Sequence, residues 1–437
     1  MNRIGRFARN IFDSIADTGE KFLNLRRLRG TSVQKLLELC EDLISHKGFA
    51  SGIALAREVV GRYGVLTTDE KLLFFHELNH SMGPNLKEIK KAAVEFTKSP
   101  NDSTLLELSG QIKSKRQKLF SRMIMAPKGT RAIISLREDL LDFIPANENL
   151  RAIDEVLRVL LISWFNPGFL VLKKVDWDTE ACVLEKIIQY EAVHHIKDWN
   201  DLKSRLAANR RCFAFFHPAL EDEPLIFVEV ALTKGISGSI QSIFNKKIDK
   251  ETEADTAIYY SINNCQRGLK KVPLGNFLIK MVVTELAAEL PTIKKHCTLS
   301  PIPGFAYWLR KELKSDNTKF ISEQDRELLE LLDDSDWYRD SKKCHELKKP
   351  LVSSCAKYLV LAKKYGKPIN SVARFHFGNG AKLYRINWMG NTSKHGIAEA
   401  FGLMVNYMYN LKQIEANHEA YVQNRELAIS KSVRSLL

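Results

Sequence analysis

The spacing of apolar residues changes character near Trp164-Phe165-Asn166-Pro167-Gly168, and that change limits the folds open to the chain. Upstream, from Thr31 to about Leu161, the spacing is helical. Val33, Leu36, Leu37, Cys40, Leu43 and Ile44 follow the i, i+3, i+4, i+7 rule, and Thr31 or Ser32 is available as a cap. A second helix is predicted from near Ser51. A third follows the capping-box pair Thr67 and Glu70, and a fourth begins at Thr104 with Glu107 in the matching place. Gly83-Pro84, Ser99-Pro100 and Ala126-Pro127 punctuate the series. Residues 1–162 are therefore expected to form an all-α helical bundle.

Residues 163–437 mix the two periods. Phe169 to Val175, Arg211 to Phe216, Leu225 to Thr233 and Thr256 to Asn263 are predicted strands. Thr179 to Glu191, Asp198 to Ala208, Val352 to Lys364 and the tail after Asn410 are predicted helices, and charge-dense Glu323 to Lys349 is expected to form exposed helices and a long connection. Because the alternation is interrupted, a mixed sheet is expected rather than a purely parallel one. Within this half, Thr256 to Phe305 runs as strand, glycine-bearing loop, helix over Phe277 to Leu290, strand and sharp turn. Gln266, Arg267, Gly268 and Gly275 lie where amides at a helix N-terminus meet a phosphate.

The formal charge of +14 favours anionic ligands without choosing among nucleic acid, lipid and phosphorylated cofactor. No nucleic-acid motif accompanies it. The seven cysteines are scattered and never in a CxxC pair, so reduced thiols are expected rather than disulfides or structural zinc. No apolar run is long enough for a membrane span. Ile4, Phe7, Ala8, Ile11, Phe12 and Ile15 share one helical face near Arg3, Arg6 and Arg9, as in a transit peptide. Asp13, Asp17 and Glu20 favour instead a helix that docks on its own domain.

Several residues invite a chemical reading. His76 and His80 flank Glu77 in HELNH, a zinc-binding spelling, but no third ligand is evident and structural histidines are expected. His217, before Pro218, ends a strand, and Glu221, Asp222 and Glu223 are expected in a solvated turn. Ser300, followed by Pro301 ahead of GFAYWL, has the pattern of a helix N-cap. His376, in the turn-rich FHFGNG, is either a buried, satisfied side chain or a general acid in a cleft, and the residues alone leave both open.

The segments YEAVHHIKDWNDLKSRL (Tyr190 to Leu206), FFHPALEDEPLIFVEVALT (Phe215 to Thr233), LGNFLIK (Leu274 to Lys280), LSPIPGF (Leu299 to Phe305) and FHFGNGAKLYRINWMGNTSKHGIAEAFGLMVNYMYNL (Phe375 to Leu411) resemble malonyl-CoA decarboxylases. MAPKGTRAIISLREDLL (Met125 to Leu141) and SWFNPGFLVLKKVDW (Ser163 to Trp177) extend the match upstream. The resemblance implies an α+β protein of two domains. The helical domain, residues 1–162, would make oligomer contacts. Residues 163–437 would form a catalytic domain similar to the GCN5-related acetyltransferase fold.

The resemblance further implies that Ser300 and His376 are the catalytic pair, and that Lys270, Lys271, Val272, Pro273, Leu274, Gly275 and Asn276 meet the CoA pyrophosphate. Pro273 stands where family members commonly carry a glutamate. The implied reaction takes malonyl-CoA to acetyl-CoA and carbon dioxide through a thioester enolate that the enzyme protonates, with no metal or organic cofactor. The expected assembly is a homo-oligomer, tetramer or dimer, engaging neither nucleic acid nor membrane. It is expected in the cytoplasm, with the mitochondrial matrix as the alternative; Ser435-Leu436-Leu437 lacks the basic residue of a peroxisomal SKL address. The alternatives to this reading are an acyl-CoA-dependent acyltransferase and a non-catalytic acyl-CoA-binding scaffold.

Overall fold

The computed structural model describes residues 3–21, 23, 31–220, 222–245, 253–272, 274, 278–315 and 318–437. The chain divides into two compact units. One comprises Met1–Val171, Phe216–Leu225 and Cys265–Pro273; the other comprises Leu172–Phe215, Ile226–Asn264 and Leu274–Leu437.

The first unit is helical. Helices Ser32–Ser45, Phe49–Gly64, Thr68–Ser81, Lys115–Met123, Gly129–Phe143 and Arg151–Trp164 bury Leu36, Ile53, Phe74, Phe120, Ile133 and Leu157. Thr31 and Thr67 each close a capping box, with Gln34 and Glu70 as partners. Helix Asp102–Ile112 starts ahead of the predicted Thr104, because Asn101 caps it and Thr104 serves as the third helical residue of the box. The N-terminal helix Arg3–Glu20 docks on Phe49–Gly64. Arg57 reaches Asp17 at 2.7 Å and Glu20 at 2.8 Å, and a Cβ on Gly19 would lie 2.1 Å from the Ala50 carbonyl oxygen.

The second unit carries a seven-stranded sheet: β1 Val171–Val175, β2 Arg210–Phe216, β3 Ile226–Thr233, β4 Thr256–Asn264, β5 Lys295–Thr298, β6 Lys382–Asn387 and β7 Met404–Tyr409. In space the order is β1-β2-β3-β4-β5-β7-β6. β4 and β5 are parallel, joined through helix Leu278–Glu289, whereas β2/β3, β3/β4, β5/β7 and β6/β7 are antiparallel. β2 is buried along its whole length and β3 along nearly all of it, in keeping with the apolar runs Cys212 to Phe216 and, on either side of buried Glu229, Ile226 to Val228 and Val230 to Leu232.

Two irregularities shape the middle of the sheet. Pairing of β4 with β5 ends at Tyr259 and Thr298, so from there to Asn264 β4 is paired with β3 and its other edge is free. Pairing of β3 with β4 shifts between Glu229–Ser261 and Val230–Tyr259, leaving Tyr260 as the extra residue of a bulge. A buried carboxylate anchors this stretch of β4. Glu191 accepts from Ser261 Oγ at 2.7 Å and Asn263 Nδ2 at 2.8 Å through one oxygen, and from the Val193 and His194 amides through the other. β6 and β7 were not among the predicted strands, because Arg385, Asn387 and Asn406 occupy positions where a strand pattern calls for apolar residues.

In the first unit, the segment after β4 departs from expectation. Gln266, Arg267 and Gly268 do not offer free groups to a phosphate. Gln266 Nε2 donates to Glu223 and to the Pro224 carbonyl, Arg267 pairs with Asp142, and the Gly268 amide donates to Glu138 at 3.1 Å. Glu223, expected in a solvated turn, is 2% exposed and paired with Arg131, which supplies the charge its burial requires. Arg137, fully buried, donates from Nε to Asp154 at 2.8 Å and from Nη1 to the Gly268 carbonyl at 2.6 Å. Gly268 is glycine for closeness, since a Cβ would lie 2.2 Å from the Ile134 carbonyl oxygen. Gly268→Ala must therefore displace backbone, and a loss of about 1–3 kcal/mol is expected. An unchanged denaturation midpoint would show that the segment is not held this tightly.

Candidate active site

Beyond β5 the chain changes partner. Ser300 donates its amide to the Val405 carbonyl at 2.8 Å and accepts the Val405 amide at 2.9 Å, which fixes its backbone against β7. Ser300 is thus a sheet residue and not the predicted helix cap. The helix that follows, Phe305–Leu313, is capped by Gly304 in the left-handed conformation at φ 77°. His376 lies within helix Ser371–Gly378 rather than in a turn, and Asn370 caps that helix by accepting from the Ala373 amide. The same Asn370 side chain donates to the Pro303 carbonyl at 2.9 Å. One buried amide therefore holds the Ser300 turn and the His376 helix together.

Ser300 Oγ lies 3.1 Å from His376 Nε2 and 2.9 Å from Thr298 Oγ1. His376 Nδ1 lies 2.7 Å from the Tyr409 hydroxyl, and the imidazole stacks on Tyr407 with centroids 4.4 Å apart. Thr298, Ser300, His376 and Tyr409 are all at most 5% exposed. Because the Ser300 hydroxyl donates to Thr298 Oγ1, we assign Nε2 as the donor to Ser300 Oγ and Nδ1 as the acceptor of the Tyr409 hydroxyl. From Nε2 the proton points at Ser300 Oγ, whose own hydrogen turns to Thr298 Oγ1. Burial holds the imidazole neutral by lowering its pKa from 6.5 to about 3. A chain of hydroxyl and imidazole protons thus runs in one direction, from Tyr409 through His376 to Ser300.

Asn406 sets this arrangement from below. Its Nδ2 donates to the Thr298 carbonyl at 2.6 Å and to the Ser237 carbonyl at 3.1 Å, while Oδ1 accepts from Asn387 Nδ2 and Arg385 Nε. Thr298 Oγ1 also accepts the Tyr407 amide at 3.0 Å. Sequence reasoning passed over Thr298, Asn370, Asn406 and Tyr409. The Asn370-Ser371 pair ahead of an apolar run was a usable capping signal, and the alternation in Asn406-Tyr407-Met408-Tyr409 a usable strand signal.

The remaining predicted residues are placed as follows. Lys270 and Lys271 are exposed, Lys271 with a left-handed backbone at φ 64°, whereas Val272 and Leu274 are buried. Lys270, Lys271 and Val272 belong to the first unit and Leu274 to the second; Pro273, Gly275 and Asn276 lie outside the described residues. His76 is half-buried and His80 exposed on helix Thr68–Ser81. Among the described residues no group of three or more His, Cys, Asp and Glu side chains is placed to hold a metal, and no helix is long and apolar enough to cross a membrane.

His194 and His296 are also held neutral by burial, each lowered to about 4. In the unfolded chain these rings and that of His376 take up protons below about pH 6.5, so the stability they supply is present above that pH and lost as it falls toward 4. Glu229, raised to about 8 by burial first and Glu191 second, works in the opposite sense, but the histidines outnumber it. The denaturation midpoint is therefore expected to be lower at pH 5 than at pH 7. Equal midpoints would contradict the assignment of neutral buried rings.

Residues 168–437 match the malonyl-CoA decarboxylase C-terminal domain, and residues 82–165 match the malonyl-CoA decarboxylase N-terminal domain. The mitochondrial malonyl-CoA decarboxylase of Anser anser anser is 41% identical over 345 residues, covering 73% of this chain and 68% of the relative. That of Rattus norvegicus is 38% identical over 345 residues, covering 73% and 70%. The crystal structure of malonyl-CoA decarboxylase from Rhodopseudomonas palustris aligns with a TM-score of 0.90 at 43% identity, covering 93% of this chain and 100% of that one. The enzyme from Agrobacterium vitis aligns at 0.87 and 42% identity, covering 92% and 99%. On these matches the chain belongs to the malonyl-CoA decarboxylase family.

Proposed function

We infer that the protein is a carboxy-lyase that converts malonyl-CoA to acetyl-CoA and carbon dioxide, with Ser300 and His376 as its catalytic pair. The observation that carries the assignment of residues is the directed hydrogen-bond chain from Tyr409 through His376 to Ser300, in a chain of this family. Ser300 and His376 hold the malonyl carboxylate. The bond between that carboxyl carbon and C2 breaks, carbon dioxide leaves, and the electron pair moves into the thioester carbonyl to give an enolate. The thioester is itself the electron sink. Backbone amides on the free edge of β4 beyond Tyr259 are the donors assigned to the enolate oxygen; one such donor contributes roughly 3–4 kcal/mol.

Re-formation of the carbonyl returns the pair to C2, which takes the Nε2 proton of His376, directly or through the Ser300 hydroxyl. A thioester enolate carbon is a much stronger base than imidazolate, so a neutral imidazole suffices as the acid. The ring regains its proton from solvent as products leave, and the reaction consumes one proton overall. Lys270 and Lys271, exposed just ahead of the segment that enters helix Leu278–Glu289, are the cations assigned to the CoA phosphates. An acyltransferase built on the same sheet would need an acceptor. Malonyl-CoA supplied alone should give acetyl-CoA and carbon dioxide in equal amounts.

His376→Asn is expected to bind CoA as the parent does and to lose about 10²- to 10⁴-fold in kcat. Tyr409→Phe, which removes only the donor to Nδ1, should fall between the two. Parent turnover by His376→Asn would rule out the assigned acid.

We assign self-association to the helical unit. Helices Leu86–Lys98 and Asp102–Ile112 pack as a pair, yet Leu86, Val94, Leu105, Leu106 and Ile112 are exposed and Ala92 alone among the pair's described residues is buried. An apolar face of this kind suits a second copy of the chain in a dimer or tetramer. The Leu105→Glu/Leu106→Glu double variant is expected to lower the mass measured by light scattering while leaving helix content unchanged. A parent that is already monomeric at micromolar concentration would refute the assignment.

A further inference from the structure

A cavity of about 750 Å³ opens on the second unit, on the face of the sheet turned away from His376. Along β7, Tyr407 and Tyr409 touch the histidine, so Met404 and Asn406 point the other way, and their β6 partners Asn387 and Arg385 line the cavity floor. The loop after β3, Lys234 to Ser239, forms one wall, and Lys348 on helix Ser341–Val360 stands at another. The lining includes Lys234, Lys348 and Arg385 and, among the described residues, no acidic one.

The cationic floor is built and held. Arg385 donates from Nε to Asn387 at 2.7 Å and Asn406 at 3.2 Å, and from Nη2 to the Ile236 carbonyl at 3.2 Å. Its Nη1 has no partner among the described residues, so a fixed guanidinium presents an unused edge. Gly238 lets the loop backbone press onto this floor, since a Cβ there would lie 2.8 Å from Asn387 Oδ1. A guanidinium edge and two lysines around one opening are an arrangement that receives phosphate or carboxylate oxygens. The volume is that of a small-molecule site.

We propose that this cavity binds a small polyanion bearing phosphate or carboxylate groups, at a place separate from the Ser300–His376 pair. Asn406 hydrogen-bonds both the loop, at Ser237, and the carbonyl of Thr298, so the site lies one side chain away from the hydroxyl that holds Ser300.

Calorimetric titration of the full chain in low-salt buffer, with inorganic pyrophosphate and separately with tricarballylate, tests the proposal. Saturable binding of at least one anion is expected, persisting under saturating coenzyme A, and weakened at least about tenfold in both Lys348→Glu and Arg385→Gln. Binding of pyrophosphate alone assigns a phosphorylated ligand, and binding of tricarballylate alone a carboxylate. The absence of saturable binding by either anion, its loss under coenzyme A, or equal affinity in both variants would each overturn the proposal. Malonyl-CoA turnover by the unmodified chain, measured alongside, stands or falls independently of these titrations.

Discussion

The side chain of Asn406 is completely buried, and each of its hydrogen-bonding atoms is in use. In a low-dielectric interior an amide with both ends satisfied has one orientation, because a flipped one would oppose donor to donor and acceptor to acceptor. Everything near Ser300 and His376 refers to that orientation. It fixes the Thr298 carbonyl, Thr298 Oγ1 receives the Ser300 hydroxyl, and Ser300 receives the His376 ring proton. On the other side of the sheet the same amide holds Arg385 and the Ser237 loop. The polar centre of the sheet is one connected network around Asn406, in which loss of a member leaves a buried partner unpaired.

The helical unit uses the same logic around a charge. Arg137 is wholly buried; Asp154 and the Gly268 carbonyl accept hydrogen bonds from its Nε and Nη1 while Nη2 has no partner among the described residues, and Asp142 and Glu138 bind the neighbouring residues of that segment. A glycine that in sequence suggests a phosphate loop is here the point where two backbones nearly touch.

Much of the architecture was legible in sequence, and the exceptions share a cause. The helical unit, the mixed sheet, the docked N-terminal helix and the Thr67 capping box follow from periodicity and local chemistry. Ser300 resembled a cap because Ser-Pro ahead of a helix is a local signal, whereas its backbone is claimed by Val405, far along the chain. His376 resembled a turn residue because Gly378-Asn379-Gly380 follow it, although the cap at Asn370 makes it helical. Glu223 resembled solvent-facing charge until its distant partner Arg131 was known. β6 and β7 broke the apolar alternation because their inward Arg385, Asn387 and Asn406 pair with one another. For Ser300, Glu223 and the two strands a partner distant in sequence overrode the local preference, whereas for His376 a nearby cap outweighed the turn signal. The chemical role proposed for Ser300 and His376 was suggested only by family resemblance.

The pairing of Ser300 with Val405 also orders events in time. Asn406 meets a carbonyl 108 residues earlier at Thr298 and another 169 residues earlier at Ser237. Contacts of such sequence separation close late, after the loops between them have lost their conformational freedom. During synthesis, β2 to β5 emerge well before the strand that completes the polar centre, so a partly made chain carries Ser300 without its hydrogen-bonding frame. The frame around Ser300 and His376 is therefore a property of the finished sheet and arrives with β7; under the proposed assignment, activity is a sensitive reporter of complete folding.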